Sequence, residues 1–120
     1  MAADITKTYI AFLQELKNGG AKIDSIGIVN EDTEYGTSTA KVLRETAEES
    51  GFKISLEIRY SANTTDVQSQ VLQLKDKNPD VVFFVSYTSD AILYIKTMQA
   101  LGYKPPVLIA DNAAFSTHHS

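Results

Sequence analysis

The chain has 120 residues, enough for one domain, and its 43% hydrophobic and 22% charged content exclude a disordered chain, a collagen and a coiled coil. Eleven Lys and Arg against fifteen Asp and Glu leave a net charge of −4, which argues against a nucleic-acid partner, whose counterions a basic face must displace. The absence of cysteine excludes thiol catalysis and cysteine-bound zinc or iron–sulfur centres.

Two hydrophobic periods take turns along the chain. Ile5, Tyr9, Phe12, Leu13 and Leu16 fall on one helical face, and Asn18-Gly19-Gly20 ends that helix. The segment before it, Met1-Ala2-Ala3-Asp4-Ile5-Thr6-Lys7, has no apolar stretch of the kind a secretory signal needs. Ser25-Ile26-Gly27-Ile28-Val29 reads as a buried strand. Ala40, Leu43 and Ala47 give the inner face of a second helix, closed by Gly51. From 52 to 60 the alternation is strict: Phe52, Ile54, Leu56, Ile58 and Tyr60 on one side, Lys53, Ser55, Glu57 and Arg59 on the other. That pattern predicts a strand with one wet face.

Thr65-Asp66-Val67-Gln68 resembles a capping box, with Val67, Val71 and Leu74 facing inward behind it and Asn78-Pro79 ending the helix. Val81-Val82-Phe83-Phe84-Val85 is apolar throughout, hence covered on both sides, and far short of the ~20 residues that span a bilayer. Ser89 caps a fourth helix that faces inward through Ile92, Ile95 and Met98 and stops at Gly102 before Pro105-Pro106. Val107-Leu108-Ile109-Ala110 is the last strand. The order α-β-α-β-α-β-α-β calls for a parallel sheet flanked by helices, an α/β three-layer, doubly wound fold with strand order 2-1-3-4. The last strand is apolar on both faces yet lies at an edge, so a neighbouring strand is expected from elsewhere, or from a second copy pairing along residues 107–110 as a homodimer.

Ligands of open parallel sheets bind beyond the carboxyl ends of the strands, where the strand order reverses. Here that crevice lies between the first and third strands. Its loops are Asn30-Glu31-Asp32-Thr33-Glu34-Tyr35-Gly36, Ser86-Tyr87-Thr88-Ser89 and Asp111-Asn112-Ala113. They hold carboxylates, hydroxyls and two tyrosines but no Lys, Arg or His. Such a mouth suits a small polar or cationic group and repels phosphate. No Gly-x-Gly-x-x-Gly or Walker loop is present, and the third strand ends in Ser86-Tyr87 where a receiver domain needs an aspartate. Thr37-Ser38-Thr39 loosely resembles a flavin-phosphate loop, with Glu31, Asp32 and Glu34 set against it.

Each residue also has a purely structural reading. Glu31, Asp32 and Glu34 precede a helix, where acids favour the positive dipole end. Tyr35 seals a first turn, Gly36 permits close packing, Tyr87 is core with its hydroxyl at the rim, and Asp111 is a turn residue. His118-His119 are a frayed tail or a tag scar rather than metal ligands, and both histidines lie in that tail, so no Ser/His/Asp set exists.

The stretch from Lys22-Ile23 through Asn30-Glu31-Asp32 to Tyr35-Gly36 resembles the segment opening the second lobe of type I periplasmic solute-binding proteins, most closely the branched-chain amino acid receptors of ABC importers. The likeness continues through Asp66-Val67, Asn78-Pro79-Asp80-Val81-Val82 and Ala100-Leu101-Gly102-Tyr103. In that family two lobes close on a ligand. The resemblance implies ligand-binding roles for Tyr35, Tyr87 with its neighbour Thr88, and Asp111, the last meeting an α-ammonium with a side chain one methylene shorter than the family's frequent glutamate. It implies no catalysis, cofactor or metal. The implied partners are a small amino-acid-like ligand, an absent first lobe and an ABC permease, in an extracytoplasmic setting and without nucleic acid. It also implies one partial lobe over residues 1–120, lacking a late strand and helix; the histidine-bearing end, 116–120, is expected to be a disordered tail. A ligand-sensing lobe of a receptor or regulator has the same architecture; a flavodoxin-like or receiver-like domain is the further alternative.

Overall fold

The computed structural model describes residues 2–61, 64–85 and 88–111. Its elements alternate as expected: α1 (Ala2–Asn18), β1 (Ser25–Glu31), α2 (Glu34–Glu49), β2 (Lys53–Tyr60), α3 (Gln68–Lys77), β3 (Val81–Val85), α4 (Thr88–Ala100) and β4 (Val107–Asp111). The four strands form one parallel sheet in the order β2-β1-β3-β4. Every residue of β3 is buried, as its unbroken apolar run requires.

Two cores lie on opposite faces of the sheet. On one, α1 and α2 bring Ile10, Leu13, Ala40, Leu43 and Ala47 against Ile26, Ile28, Val81, Phe83 and Val85. On the other, α3 and α4 bring Val71, Leu74, Tyr94 and Met98 against Val29, Ile58, Val82 and Phe84. Phe83 and Phe84 are both fully buried, on opposite faces, and each contributes about 2–3 kcal/mol of burial.

Five local expectations fail, each for a physical reason. In β2 the strict alternation does not survive. Ile26 pairs with Ile54 but the next residue, Gly27, pairs with Leu56, so Ser55 is an extra residue in the ladder. Phe52 and Ile54 therefore join the first core, while Leu56, Ile58 and Tyr60 join the second. In α1 the buried seam runs through Thr6, Ile10 and Leu13, and Phe12 is left 47% exposed. In α4 it runs through Ala91, Tyr94 and Met98, and Ile92 and Ile95 turn outward.

The fourth concerns α3. It starts at Gln68, with Val67 at its cap and no side-chain cap bond; the Asp66 carboxylate instead accepts the Gln68 N–H at 3.0 Å, so Thr65 forms no capping box. Likewise α4 begins at Thr88, which places Ser89 inside the helix and not at its cap. Among the described residues β4 is the last strand of the sheet, and Leu108 on it is 38% exposed, beside a hollow of about 450 Å³ lined by Ile95, Met98, Tyr103 and Pro105.

Candidate functional site

The pairing register sets the carboxyl edge of the sheet. Asn30, Val85 and Asp111 stand in one row across β1, β3 and β4. The chain beyond each leads into the segments that the sequence singled out. Tyr35 is the second residue of α2, half-buried and packed against the first core. Thr88 opens α4 and Asp111 closes β4, so their backbones lie at this same edge. The side chains of Thr88 and Asp111, and all of Tyr87, lie outside the described residues, as do His118, His119 and the expected tail at 116–120.

The β1–α2 connection is tightly specified. Thr33 is extended (φ −132°) and caps α2, its hydroxyl accepting the Gly36 N–H at 3.0 Å. Gly36 has no room for a side chain, since a Cβ there would collide with the Glu31 carbonyl oxygen, and the Glu31 carbonyl carbon and amide nitrogen are within 3.2 Å. The first turn of α2 is thus pressed directly on the end of β1, which holds Tyr35 at the edge. Glu34 occupies that first turn, where its charge favours the helix dipole. The Ser38 hydroxyl donates to the Glu34 carbonyl at 2.7 Å, so it is turned back on its own helix and not outward toward a phosphate.

Sequence reasoning missed a buried acid cluster at the same edge. Glu31 is only 1% exposed, being in phase with Val29 along β1 and so facing the second core. Its Oε1 accepts the Thr33 hydroxyl at 3.0 Å, while Oε2 is buried with no partner. Asp90, on the first turn of α4, lies within hydrogen-bonding reach of the Glu31 carboxyl and accepts the Tyr60 hydroxyl at 3.0 Å. Burial pushes the Glu31 carboxyl above its ordinary value; Thr33 opposes this and Asp90 adds to it. Burial, then the Asp90 charge, pushes the Tyr94 hydroxyl up as well. The legible signal was spacing: two residues past Val29, a strand side chain returns to the face that Val29 occupies.

Among the described residues, no cluster of three or more acidic, histidine or cysteine side chains is placed to hold a metal. No helix of the described residues is long and apolar enough to cross a membrane.

A doubly wound sheet whose polar loops gather at the carboxyl edge beside the strand-order reversal has the architecture of a ligand-binding α/β lobe. The chain belongs to the periplasmic binding protein family, which it matches over residues 4–119. It is 38% identical over 91 residues to Leu/Ile/Val-binding protein homolog 8 of Brucella abortus (strain 2308), an alignment covering 76% of this chain and 23% of that protein. Among solved structures it is similar to a putative branched-chain amino acid ABC transporter from Silicibacter pomeroyi (TM-score 0.78, 20% identity, 89% of this chain and 28% of that one). It is also similar to a fatty acid ABC transporter substrate-binding protein from Thermomonospora curvata (TM-score 0.71, 25% identity, 92% and 28%). The chain therefore spans about a quarter of the length of the relatives it matches. The family is one of solute-binding proteins and not of enzymes.

Proposed function

We propose that this chain is one lobe of an extracytoplasmic solute receptor that captures a small amine-bearing ligand of the amino-acid class for an ABC importer. A second lobe, on the rest of a longer chain, closes over the carboxyl edge. Asp111 pairs with the ligand's ammonium, Tyr35 and Tyr87 wall it in, and Thr88 adds a hydroxyl at the rim. The observation carrying this reading is the row Asn30–Val85–Asp111, which sets an acidic strand end beside the switch point between β1 and β3. The name of the Brucella relative supports the amino-acid class, and closure between lobes supplies the desolvation that an ammonium–carboxylate pair needs to be selective. The outer flank of β4 takes a further strand, from that longer chain or from a second copy.

With half of its contacts missing, the isolated lobe binds weakly, short of micromolar affinity. An NMR titration with L-leucine is expected to shift backbone resonances at 31–36, 86–88 and 111, and isovalerate, which lacks the amine, is expected to leave them in place. Shifts from isovalerate or a fatty acid equal to those from leucine would overturn the amine reading. Asp111→Ala is expected to abolish the leucine response.

A further inference from the structure

We propose that Glu31 and Asp90 share a single proton, and that this proton is a latch fastening the first turn of α4 to the carboxyl ends of β1 and β2. Two ionised carboxylates are acceptors only, so their contact requires a hydrogen between them. The structure provides the place for it. Among the described residues Oε2 of Glu31 is buried with no donor, and the Asp90 carboxyl, held at 3.0 Å by the hydroxyl of Tyr60, the register partner of Glu31, neighbours the Glu31 carboxyl. Oε1 is already taken by the Thr33 hydroxyl and Asp90 Oδ2 by the Tyr60 hydroxyl. The proton belongs on Glu31, the more deeply buried of the two; half-buried Asp90 sits on the N-terminal turn of α4.

Among the described residues, the surroundings give a second anion no compensation. β1 contributes Glu31, β2 contributes Tyr60, and α4 contributes Asp90 and the fully buried Tyr94, whose hydroxyl has no partner. The β1–α2 connection adds Thr33 and the exposed Asp32, and α3 with its cap residue packs Val67, Val71 and Leu74 into this core. Among the described residues, neither carboxyl is ion-paired with a lysine or arginine. Loss of the proton therefore sets two negative charges against each other in a poorly solvated space and drives the first turn of α4 away from β1. That turn begins at Thr88, a residue of the ligand site proposed above, so the latch regulates that site; its reach to the ligand, though not its existence, rests on that proposal.

The linkage has a definite sign. Glu31 holds its proton more tightly when folded than its ordinary value of 4.5, so folding takes up a proton in the interval above that value. Stability is fullest below it and declines as pH rises through the folded-state value.

The test is thermal unfolding of the chain between about pH 5 and pH 8, with Glu31→Gln and Asp32→Asn beside wild type. An amide donates to Asp90 at every pH, so Glu31→Gln is expected to flatten the fall in Tm and to melt above wild type at the alkaline end. Asp32→Asn, altering an exposed neighbour, is expected to keep the wild-type slope. A Glu31→Gln slope equal to wild type overturns the latch. So does a wild-type Tm that calcium or sodium raises at alkaline pH more than that of Glu31→Gln, because a cation would then occupy the pair. If Glu31→Gln fails to fold, the Glu31 carboxyl carbon titration in wild type decides: a midpoint above 4.5 is expected, and one at or below it refutes the proposal. None of these readouts involves a ligand. A confirmed latch with no leucine response at 86–88 at either pH would sink the ligand reading alone.

Discussion

Deleting Ser55 separates the observed register from the one its sequence advertises. The alternation from 52 to 60 describes a strand with every apolar side chain on one face. In a regular ladder, removing one residue turns all that follows to the opposite face. Ile58 and Tyr60, 5% and 3% exposed, would then leave the core. Their burial amounts to about 2–3 kcal/mol each, and Glu57 and Arg59 would take their places. The loss would reach a large part of the roughly 5–15 kcal/mol that holds such a domain together. The observed ladder reverses this expectation, because Ser55 is the extra residue between Ile26–Ile54 and Gly27–Leu56. Without it, Ile54 still faces the first core and Leu56 the second. The deletion also removes a buried hydroxyl that has no partner, an arrangement that costs about 1–3 kcal/mol. The variant is therefore expected to fold and to lie within about 2 kcal/mol of wild type by urea denaturation followed by far-ultraviolet circular dichroism, with an unchanged m-value. Failure to fold, while Ser55→Ala folds normally, would refute the bulge.

Two further substitutions probe the two ends of the sheet. Gly36→Ala would gain about 1 kcal/mol from helix propensity alone, but the new methyl meets Glu31 backbone that cannot swing aside; a net loss of about 2–3 kcal/mol in the same assay is expected from overpacking, and a neutral or stabilised variant would contradict the close approach. At the amino end, Asp80→Ala is expected to lose about 2 kcal/mol, because its carboxylate accepts the Asp24 and Ser25 N–H groups at 2.9 and 3.3 Å. The loss should persist in high salt, since the Lys22 contact at 4.0 Å joins Asp80 to a side chain that is 81% exposed.

The strand order was legible because burial on two faces and on one leave different marks. β3 throughout and residues 26–29 of β1 are apolar without a break, and these strands lie at the centre; β2 alternates and lies at an edge. What stayed hidden depends on single residues whose partners are distant in sequence. Nothing local marks Ser55 as an inserted residue, since serine fits the wet side of a regular strand equally well. Ile92 and Ile95 looked inward because isoleucine is apolar, yet Ala91 and Tyr94 hold the buried face of α4 and the isoleucines turn out, Ile95 onto the hollow beside β4. Glu31 looked like a helix-end acid because it sits in a run with Asp32 and Glu34, but β1 extends two residues further than the apolar stretch and carries it into the core. Of the proposed site residues, Tyr35 and Thr88 follow strands and Asp111 ends one, so the fold sets their backbones at one edge of the same parallel sheet.

The two ends of this sheet are held by different chemistry, and the difference bears on binding. At the amino end the fastening is complete and fixed: Asp80 accepts two backbone N–H groups, its own N–H donates to the Ser25 hydroxyl at 3.1 Å, and Pro79 fills the space a side chain on Gly27 would need. At the carboxyl end the polar groups are underfilled. Glu31 Oε2 and the Tyr94 hydroxyl are buried without partners, and the proposed latch between Glu31 and Asp90 holds only while its proton is bound. Segments that move on ligand binding come from the less stable parts of a fold. A lobe that closes on a solute must adjust at the edge that meets it while the opposite edge keeps the strands in register. The distribution of satisfied and unsatisfied groups assigns rigidity and compliance to those two ends.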